Sequence, residues 1–361
     1  MPADQAPTVR TARLELRPPV DEDGPRFVEL FRDPAFMVFS GGVLDGDEAA
    51  ARFDAMRALA QILPFAKQPV VERATRTIVG YAGVDLYRLH GRPVLEFGWR
   101  LIPEARGRGY ATEAATALVA VASEVYDGEI VTMIAPANRR SARVAQKVGF
   151  GPAERAVVEG DPTDISRLRC RGTGLDPDVV TFRPMTVDDL ALMATWLGAD
   201  HVQEWWRDPS APDRVDAKYG PRLRPETNTE MFVIDLFGHP IGFVQRYLLR
   251  DHPDWARTLT ATGLAFERAA GIDYAIGDPR FTGRGLGSAL IGDFVDRLFD
   301  DHPDVNEVIV TPQAANRASC RVLEKAGFSS RWTGRLASSD PGDAGTAALY
   351  VRTRSMVDGS R

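Results

Sequence analysis

The feature that most constrains this chain of 361 residues is a sequence block that occurs twice. Asn138 to Phe150 reads NRRSARVAQKVGF and Asn316 to Phe328 reads NRASCRVLEKAGF, and the two copies start and end 178 residues apart. A glycine-rich segment precedes each copy, Arg106 to Ala111 (RGRGYA) in the first half and Gly283 to Gly287 (GRGLG) in the second. A block that returns in the same order in a chain of this length predicts two similar domains, each large enough to bury its own core.

The two halves also begin alike. Leu14 to Pro18 (LELRP) and Val180 to Pro184 (VTFRP) contain alternating apolar residues, which is typical of a strand, and an acidic turn that can cap a helix follows each of them. A run rich in glycine, proline and aspartate, RGTGLDPD, lies between the halves. We therefore predict an N-terminal domain over residues 1–172, a linker over 173–178 and a C-terminal domain over 179–361.

Strand and helix patterns alternate along both halves. Helices are predicted after each glycine-rich segment, over Thr112 to Val125 and Ser288 to Phe299, and the turn Phe237 to Pro240 predicts a hairpin. Strands are predicted at six further places: Thr77 to Tyr87, Val94 to Leu101, Ile130 to Ala135, Phe232 to Leu236, Ile241 to Leu248 and Val308 to Thr311. This alternation predicts two α/β domains, each built on a mixed sheet.

Composition narrows the classes of function. The 44 Lys and Arg residues against 50 Asp and Glu residues give a net charge of −6, which argues against a nucleic-acid binder and suits a small cationic substrate. The two cysteines, Cys170 and Cys320, lie in different predicted domains, so neither a disulfide framework nor a metal cluster is expected. The chain shows no signal-peptide pattern and no apolar window long enough for a membrane span, so we expect a cytoplasmic protein.

Glycine-rich segments between a strand and a helix have a specific chemical use. Glycines let backbone N–H groups approach a phosphate closely, and the start of the following helix adds a partial positive charge of about half an electron. Both segments therefore predict a site for a pyrophosphate. Together with the downstream Asn and Gly-Phe residues, they resemble the acetyl-CoA loop, Gln/Arg-x-x-Gly-x-Gly/Ala, of the GNAT N-acetyltransferase superfamily.

This resemblance implies two tandem GNAT domains that bind acetyl-CoA. In the first half all three positions of the loop pattern are filled; in the second half the glycines fit, but Thr282 stands where Gln or Arg is usual. The residues implied to bind the cofactor are Arg106, Gly107, Arg108, Gly109, Tyr110, Ala111, Asn138, Gly283, Arg284, Gly285, Leu286, Gly287, Ser288 and Asn316.

The two halves resemble different branches of the superfamily. The first half, through LEFGWRLIP at 95–103, looks like the ribosomal-protein N-terminal acetyltransferases, in which Glu96 would be the acidic residue near the amine. The second half resembles bacterial aminoglycoside 6′-N-acetyltransferases, and such polycationic substrates need carboxylates and flat aromatic faces. The candidate substrate-binding residues are Glu204, Trp205, Trp206, Tyr219, Trp255 and Asp273.

Carboxylates are predicted to carry the chemistry. A primary amine with a pKa near ~10 is neutral at pH 7 in only about one molecule in a thousand, so a carboxylate that accepts its proton promotes acetyl transfer. The predicted catalytic residues are Asp273 as the base, Asp254, which the resemblance matches to a substrate carboxylate of the family, and Glu96 in the first half. The oxyanion is expected to meet a backbone N–H within Ala275 to Gly277.

Three departures from the family pattern bear on this prediction. Many GNAT enzymes have a tyrosine that protonates the leaving thiolate, and those places hold Ala145 and Leu323, which leaves the general acid unassigned. Thr311 replaces the family's acid before the Pro-x-x-x-Asn segment. Counted back from the loop glycines, Glu96 and Asp273 differ by one position and should face opposite sides of their strands, so we expect a β-bulge near residue 273.

Three functions fit these observations. The first is acetylation of an aminoglycoside at its 6′-amine by the second domain, with the first domain an amino-group acetyltransferase or a cofactor-binding relic. The second is a siderophore lysine N-acyltransferase, a relative that usually has His where Asp273 stands. The third is a non-catalytic scaffold that binds acyl-CoA, which the two missing tyrosines favour.

Overall fold

The computed structural model describes residues 7–90, 92–175, 178–264, 266, 268–282, 286–338, 342 and 345–354. Contacts within the chain concentrate in two compact units, Met1–Val179 and Val180–Arg361. The backbone N–H groups of Gly174 and Leu175, in the predicted linker, donate to the carbonyl oxygen of Val125. This part of the linker therefore lies against the first unit.

The first unit is built on one mixed sheet. Its strands are β1 (Val9–Arg10), β2 (Leu14–Leu16), β3 (Gln68–Glu72), β4 (Thr77–Leu89), β5 (Arg92–Leu101), β6 (Glu129–Ile134), β7 (Glu154–Val158) and β8 (Asp161–Arg169). Its helices are α1 (Gly24–Arg32), α2 (Gly46–Ala60), α3 (Tyr110–Val125) and α4 (Arg139–Val148). The spatial order is β1-β2-β3-β4-β5-β6-β8-β7, and β5 and β6 form the parallel pair in an otherwise antiparallel sheet.

The second unit repeats this plan. Its strands are β9 (Val180–Pro184), β10 (Thr229–Leu236), β11 (His239–Leu248), β12 (Ala269–Ile276), β13 (Glu307–Val310), β14 (Ser329–Gly334) and β15 (Ala347–Thr353). Its helices are α5 (Leu190–Leu197), α6 (Asp200–Gln203), α7 (Pro212–Tyr219), α8 (Pro253–Thr260), α9 (Leu286–Asp301) and α10 (Arg317–Lys325). The order is β14-β15-β13-β12-β11-β10-β9, with β12 and β13 parallel, which confirms the predicted mixed α/β fold in tandem.

The repeated sequence block forms the same element in both units. Asn138 caps α4 and Asn316 caps α10, because the side-chain oxygen of each accepts the backbone N–H three residues on, at 3.2 and 3.0 Å. Gly149 and Gly327 follow these helices with φ of 104° and 89°, a left-handed conformation that suits glycine and ends a helix. The block is thus a complete helix with its start and stop signals.

An ion pair holds the opening of each unit. Arg17 forms two bonds of 2.7 Å with Asp23, and Arg183 forms bonds of 2.7 and 2.8 Å with Asp189. Each aspartate also accepts the backbone N–H three residues before it, at 3.0 and 2.8 Å. The Arg183 guanidinium is the main cause that lowers the pKa of Asp189 to about 2. The predicted acidic turn therefore anchors the preceding strand, rather than bonding the N–H groups of the helix that follows.

Candidate active site

In each unit the two parallel strands separate after a short contact. β5 and β6 pair at Leu95 and Glu96, although β5 continues to Leu101. β12 and β13 pair over residues 269–271, although β12 continues to Ile276. We call the openings between the diverging strands the first cleft and the second cleft. Within the described residues, no other strand pairs with β5 or β12 on the cleft side.

The predicted cofactor loop of the first unit connects β5 to α3. Gly107 and Gly109 have φ of 77° and 84°, in the left-handed region. α3 begins directly afterwards at Tyr110, and the first N–H groups of a helix have no partner within it. A turn of left-handed glycines before a helix start is an arrangement that binds a pyrophosphate.

The side chains of this loop hold it in place. Nε of Arg106 donates to the carbonyl oxygen of Leu101 at 2.9 Å. Arg108 pairs with Glu72 at 2.8 Å, and the hydroxyl of Tyr110 donates to the same carboxylate. These three predicted cofactor residues therefore position the loop, and its backbone is the part that can meet a phosphate.

Only part of the second loop can be described. Three of its predicted cofactor residues lie outside the described residues, namely Gly283, Arg284 and Gly285. The next three form the first, buried turn of α9: Leu286, Gly287 and Ser288. A Cβ on Gly287 would lie 2.9 Å from Cγ2 of Val322, so this glycine lets α9 pack closely on α10. Contact of these residues, and of the capping residues Asn138 and Asn316, with the cofactor stays a prediction.

Asp273 lies on β12 just beyond its contact with β13, beside the second cleft. Its Oδ2 accepts a hydrogen bond from Nε2 of Gln245 at 2.7 Å, and Oε1 of Gln245 accepts one from Nη1 of Arg222 at 2.8 Å. Because Arg222 holds the amide oxygen, the amide nitrogen is directed at the carboxylate. Sequence reasoning missed Gln245, although a glutamine within an apolar strand signals a buried polar network. In the structure its exposed fraction is 7%.

Glu96 lies at the first cleft but is paired inside the unit. Nζ of Lys67 is 3.4 Å from Oε2 of Glu96 and 3.0 Å from Oδ2 of Asp85, and the lysine side chain is 9% exposed. Burial opposes the ammonium charge, but the two carboxylates outweigh it and raise the pKa of Lys67 above its usual value. The first cleft therefore has an internal cation beside its carboxylate, which sequence reasoning missed.

Matching the ends of the strands aligns the two clefts. Ile102 and Gly277, the first residues after β5 and β12, each donate their N–H to the preceding strand at 2.9 Å. With these two residues matched, Asp273 corresponds to Gly98 and lies on the same side of its strand as Glu96. β12 pairs with β11 without a register shift, so the predicted bulge near residue 273 is wrong. The one-residue difference between the two units lies instead in the loop after β12, which is one residue longer than the loop after β5.

Gly98 leaves room for the carboxylate of Glu96. A Cβ on Gly98 would lie 3.1 and 3.3 Å from the two carboxylate oxygens of Glu96. The carboxylate of Glu96 thus fills the place that corresponds to the side chain of Asp273 in the second unit. Both clefts have a carboxylate at corresponding places, supplied from different positions along the strand, and in the first cleft Lys67 pairs with it.

The hydrogen-bond alternation along β12 orients its backbone groups. Because the N–H of Gly277 donates to Ile241, the N–H of Ala275 also faces β11, and the N–H of Ile276 faces the second cleft. Within the predicted range Ala275 to Gly277, Ile276 is therefore the residue whose N–H has the required direction. Nε2 of His201 on α6 lies 2.9 Å from the carbonyl oxygen of Ile276 and holds this stretch in place.

Two of the predicted aromatic residues belong to a buried network. The hydroxyl of Tyr219 donates to Asp208, and Nε1 of Trp206 lies 3.1 Å from the same carboxylate. Tyr219 is 1% exposed, so its side chain serves the core of the second unit and the prediction that it contacts the substrate is corrected. Trp206 also packs edge-on against Phe243, with ring centroids 4.9 Å apart.

The remaining candidates lie nearer the surface. Glu204 is exposed and Trp205 is half-buried at the end of α6. Asp254, on the first turn of α8, has a side chain 90% exposed and pairs with Arg257. Trp255 packs against a cluster of buried residues that includes Leu249 and Leu259. A role of these four candidates in substrate binding or catalysis stays a prediction.

Three further findings concern the described part of the chain. It contains no group of three or more His, Cys, Asp or Glu side chains arranged to hold a metal ion, and none of its helices has the length and apolar character needed to cross a membrane. Cys170 and Cys320 are both buried free thiols.

Comparison with known proteins identifies the family. Models of the acetyltransferase (GNAT) domain match residues 13–151 and 186–335. The aminoglycoside N(6′)-acetyltransferase type 1 of Klebsiella pneumoniae is 32% identical over 188 residues, which cover 51% of this chain and 88% of that protein. The chain belongs to the GNAT acetyltransferase family.

Other proteins similar to this GNAT chain bear related names. The kanamycin resistance protein of Rhizobium radiobacter is 31% identical over 116 residues, which cover 32% of this chain and 96% of that protein. A crystal structure of aminoglycoside acetyltransferase AAC(6′)-Ib with coenzyme A and kanamycin has 31% identity and covers 48% of this chain and 95% of its own, with a TM-score of 0.42.

Membership of the GNAT family makes the chain an N-acetyltransferase that uses acetyl-CoA, as predicted. The residues present fit this cofactor. In the first unit, left-handed glycines before α3 suit its pyrophosphate, and the diverging strands leave backbone groups that can pair with an extended amide chain. The second unit repeats the diverging strands and the helix that starts at Leu286.

Proposed function

We propose that this GNAT protein acetylates an amino group of an aminoglycoside antibiotic, the 6′-amine, and so gives resistance, and that the second unit carries this activity. The observation that carries the proposal is the place of Asp273, which lies on β12 just beyond its contact with β13 and whose carboxylate is oriented by Gln245. The names of two relatives, an aminoglycoside N(6′)-acetyltransferase and a kanamycin resistance protein, support the same substrate class. We also propose a cytoplasmic location, where acetyl-CoA is available.

Acetyl-CoA, when bound, supplies an acetyl group activated as a thioester. Asp273 attracts the ammonium group of the substrate and accepts its proton, directly or through a water molecule. This step matters because an amine with a pKa near ~10 is neutral at pH 7 in about one molecule in a thousand. Gln245 and Arg222 hold the carboxylate in one orientation, and the N–H of Ile276 faces the cleft, where it can donate to a carbonyl oxygen.

We propose a different role for the first unit, which is to bind acetyl-CoA without acetylating cationic amines. Lys67 already pairs with both carboxylates that would attract such a substrate and offsets part of their negative charge. Displacing Lys67 would leave a buried ammonium without its partners, which is strongly unfavourable. In this proposal Glu96 is a structural partner of Lys67 rather than a base, and the resemblance to the ribosomal-protein branch does not extend to its chemistry.

The test is release of thiol from acetyl-CoA in the presence of different amines. The panel contains aminoglycosides with and without a 6′-amine, peptides with a free N-terminus, and lysine-type amines of siderophore precursors. We expect turnover with the aminoglycosides that have a 6′-amine. If no aminoglycoside is acetylated, the proposed substrate class is wrong, and turnover of the lysine-type amines would favour the siderophore alternative.

Variants assign the activity to a unit. Asp273→Asn should lower kcat/KM about a hundredfold to ten-thousandfold, because a general base contributes that much. Asp213→Asn, at an exposed aspartate on α7, is the matched control and should have no effect. Gly109→Trp, which blocks the loop of the first unit, should leave the activity unchanged. Full activity of Asp273→Asn would disprove the proposed site.

A further inference from the structure

A tyrosine reaches across the second cleft. Tyr274 directly follows Asp273 on β12, so its side chain leaves the opposite face of the sheet. Its hydroxyl lies 3.0 Å from Oγ of Ser319 on α10. β12 forms one side of the second cleft, and β13, which leads into α10, forms the other. The contact between Tyr274 and Ser319 therefore joins the two sides.

The helix face that Tyr274 contacts has chemical significance. Ser319 and Leu323 are four residues apart on α10, so their side chains share one face of the helix. Leu323 is fully buried and has no proton to donate, and it stands where the family pattern leads one to expect a tyrosine. The hydroxyl of Tyr274 lies one helical turn away from that place.

We propose that Tyr274 protonates the thiolate of coenzyme A as it leaves, in place of the tyrosine that α10 lacks. The inference rests on the acetyl transfer proposed for the second unit. As the bond from the acetyl carbon to sulfur breaks and its bond to the amine nitrogen forms, the sulfur takes the hydroxyl proton. Tyr274 then regains, through Ser319 and solvent, the proton that the amine nitrogen loses, so that protons and charge balance.

The environment keeps this hydroxyl in its donor form. Burial raises the pKa of Tyr274 above its usual value, so the hydroxyl is neutral before the reaction, and the transfer of its proton to sulfur has to be coupled to the return of a proton through Ser319 and solvent. A neutral hydroxyl donates a hydrogen bond to a developing thiolate, which a tyrosinate cannot do.

The first unit differs at the corresponding place. When the strand ends are matched, Trp99 corresponds to Tyr274, and the repeated block makes Ser141 the counterpart of Ser319. An indole N–H can donate a hydrogen bond but does not give up its proton near neutral pH. This difference agrees with a first unit that binds acetyl-CoA without transferring the acetyl group.

The first experiment measures binding and needs no acceptor. The thiol of bound coenzyme A is titrated through the ultraviolet absorbance of its thiolate, in a Gly109→Trp background so that the second unit is the one loaded, with ligand-free protein subtracted. Tyr274→Phe should raise the pKa of the bound thiol by about one unit, since it removes a hydrogen bond to the thiolate. Tyr350→Phe is the matched control, because the hydroxyl of Tyr350 donates to Glu324 at 2.9 Å, and should leave it unchanged. An unchanged thiol pKa in Tyr274→Phe would overturn the proposal.

The second experiment measures turnover with an aminoglycoside. Tyr274→Phe should lower kcat about tenfold to a hundredfold with little change in KM for the aminoglycoside. With the selenoester analogue of acetyl-CoA, whose selenolate leaves without protonation, this loss should largely disappear, whereas the loss in Asp273→Asn should persist. An equal loss with both donors would count against Tyr274. If wild-type protein acetylates no aminoglycoside, the substrate proposal fails and the thiol titration still decides the role of Tyr274.

Discussion

Replacing Lys67 by methionine removes the ammonium that joins two carboxylates inside the first unit. In the native chain its Nζ lies 3.0 Å from Asp85 and 3.4 Å from Glu96. Methionine keeps the apolar stem of the side chain but not the charge, so Glu96 is left half-buried without its cation. Removing one partner of a buried ion pair costs about 3–5 kcal/mol, and the partial exposure of Asp85 favours the lower end, about 3 kcal/mol.

This loss is large enough to measure. For a domain of this size 1 kcal/mol lowers the melting temperature by about 2–4 °C, so Lys67→Met should lower it by about 6–12 °C. Calorimetry should show the decrease in the transition of the first unit. Tryptophan fluorescence reports mainly on the second unit, because five of the six tryptophans lie there. The melting temperature measured by fluorescence should therefore stay unchanged.

The ion pair also predicts a dependence on pH. Since the folded pKa of Lys67 is raised, its stabilising effect is complete below the usual lysine pKa and is lost as the pH rises through the raised value. Wild type and Lys67→Met should therefore converge in strongly alkaline solution. The matched control is the triple variant Lys67→Met, Asp85→Asn, Glu96→Gln, which removes all three charges and should regain most of the stability. A decrease below about 2 °C in the single variant, or an equal decrease in the triple variant, would refute the reasoning.

Two further predictions concern other parts of the chain. Asp189→Asn should lower the stability of the second unit by about 1–2 kcal/mol at neutral pH, and since the folded pKa of Asp189 is lowered to about 2, the difference from wild type should decrease as the pH falls from about 4 through about 2. Urea unfolding at several pH values measures this, and a difference at pH 2 as large as that at neutral pH would contradict the assignment. Cys170 and Cys320 are buried, so a thiol reagent should react with neither in the native protein and with both in denaturant, and rapid native labelling would show that the thiols are accessible.

Much of the fold could be predicted because its signals are local. An asparagine caps the helix of each repeated block, and a glycine with positive φ ends it, so α4 and α10 are encoded within a few residues. The glycine loop before α3 depends on the same short-range backbone chemistry. The alignment of β5 with β12 is not encoded by such short-range signals. A count from the glycines crosses a loop that is one residue longer after β12, which is why the expected bulge near residue 273 is wrong.

The sites themselves depend on residues that are far apart in the chain. Lys67 and Glu96 are 29 residues apart, Gln245 and Asp273 are 28 apart, and Tyr274 and Ser319 are 45 apart. No spacing pattern links such residues, because they meet only when strands pair and helices pack on the sheet. The sequence by itself determined two domains, their family and the left-handed glycine turn before α3, since these follow from short-range signals. Only the tertiary structure decided which carboxylates Lys67 pairs with and which helix Tyr274 contacts, since both follow from long-range packing.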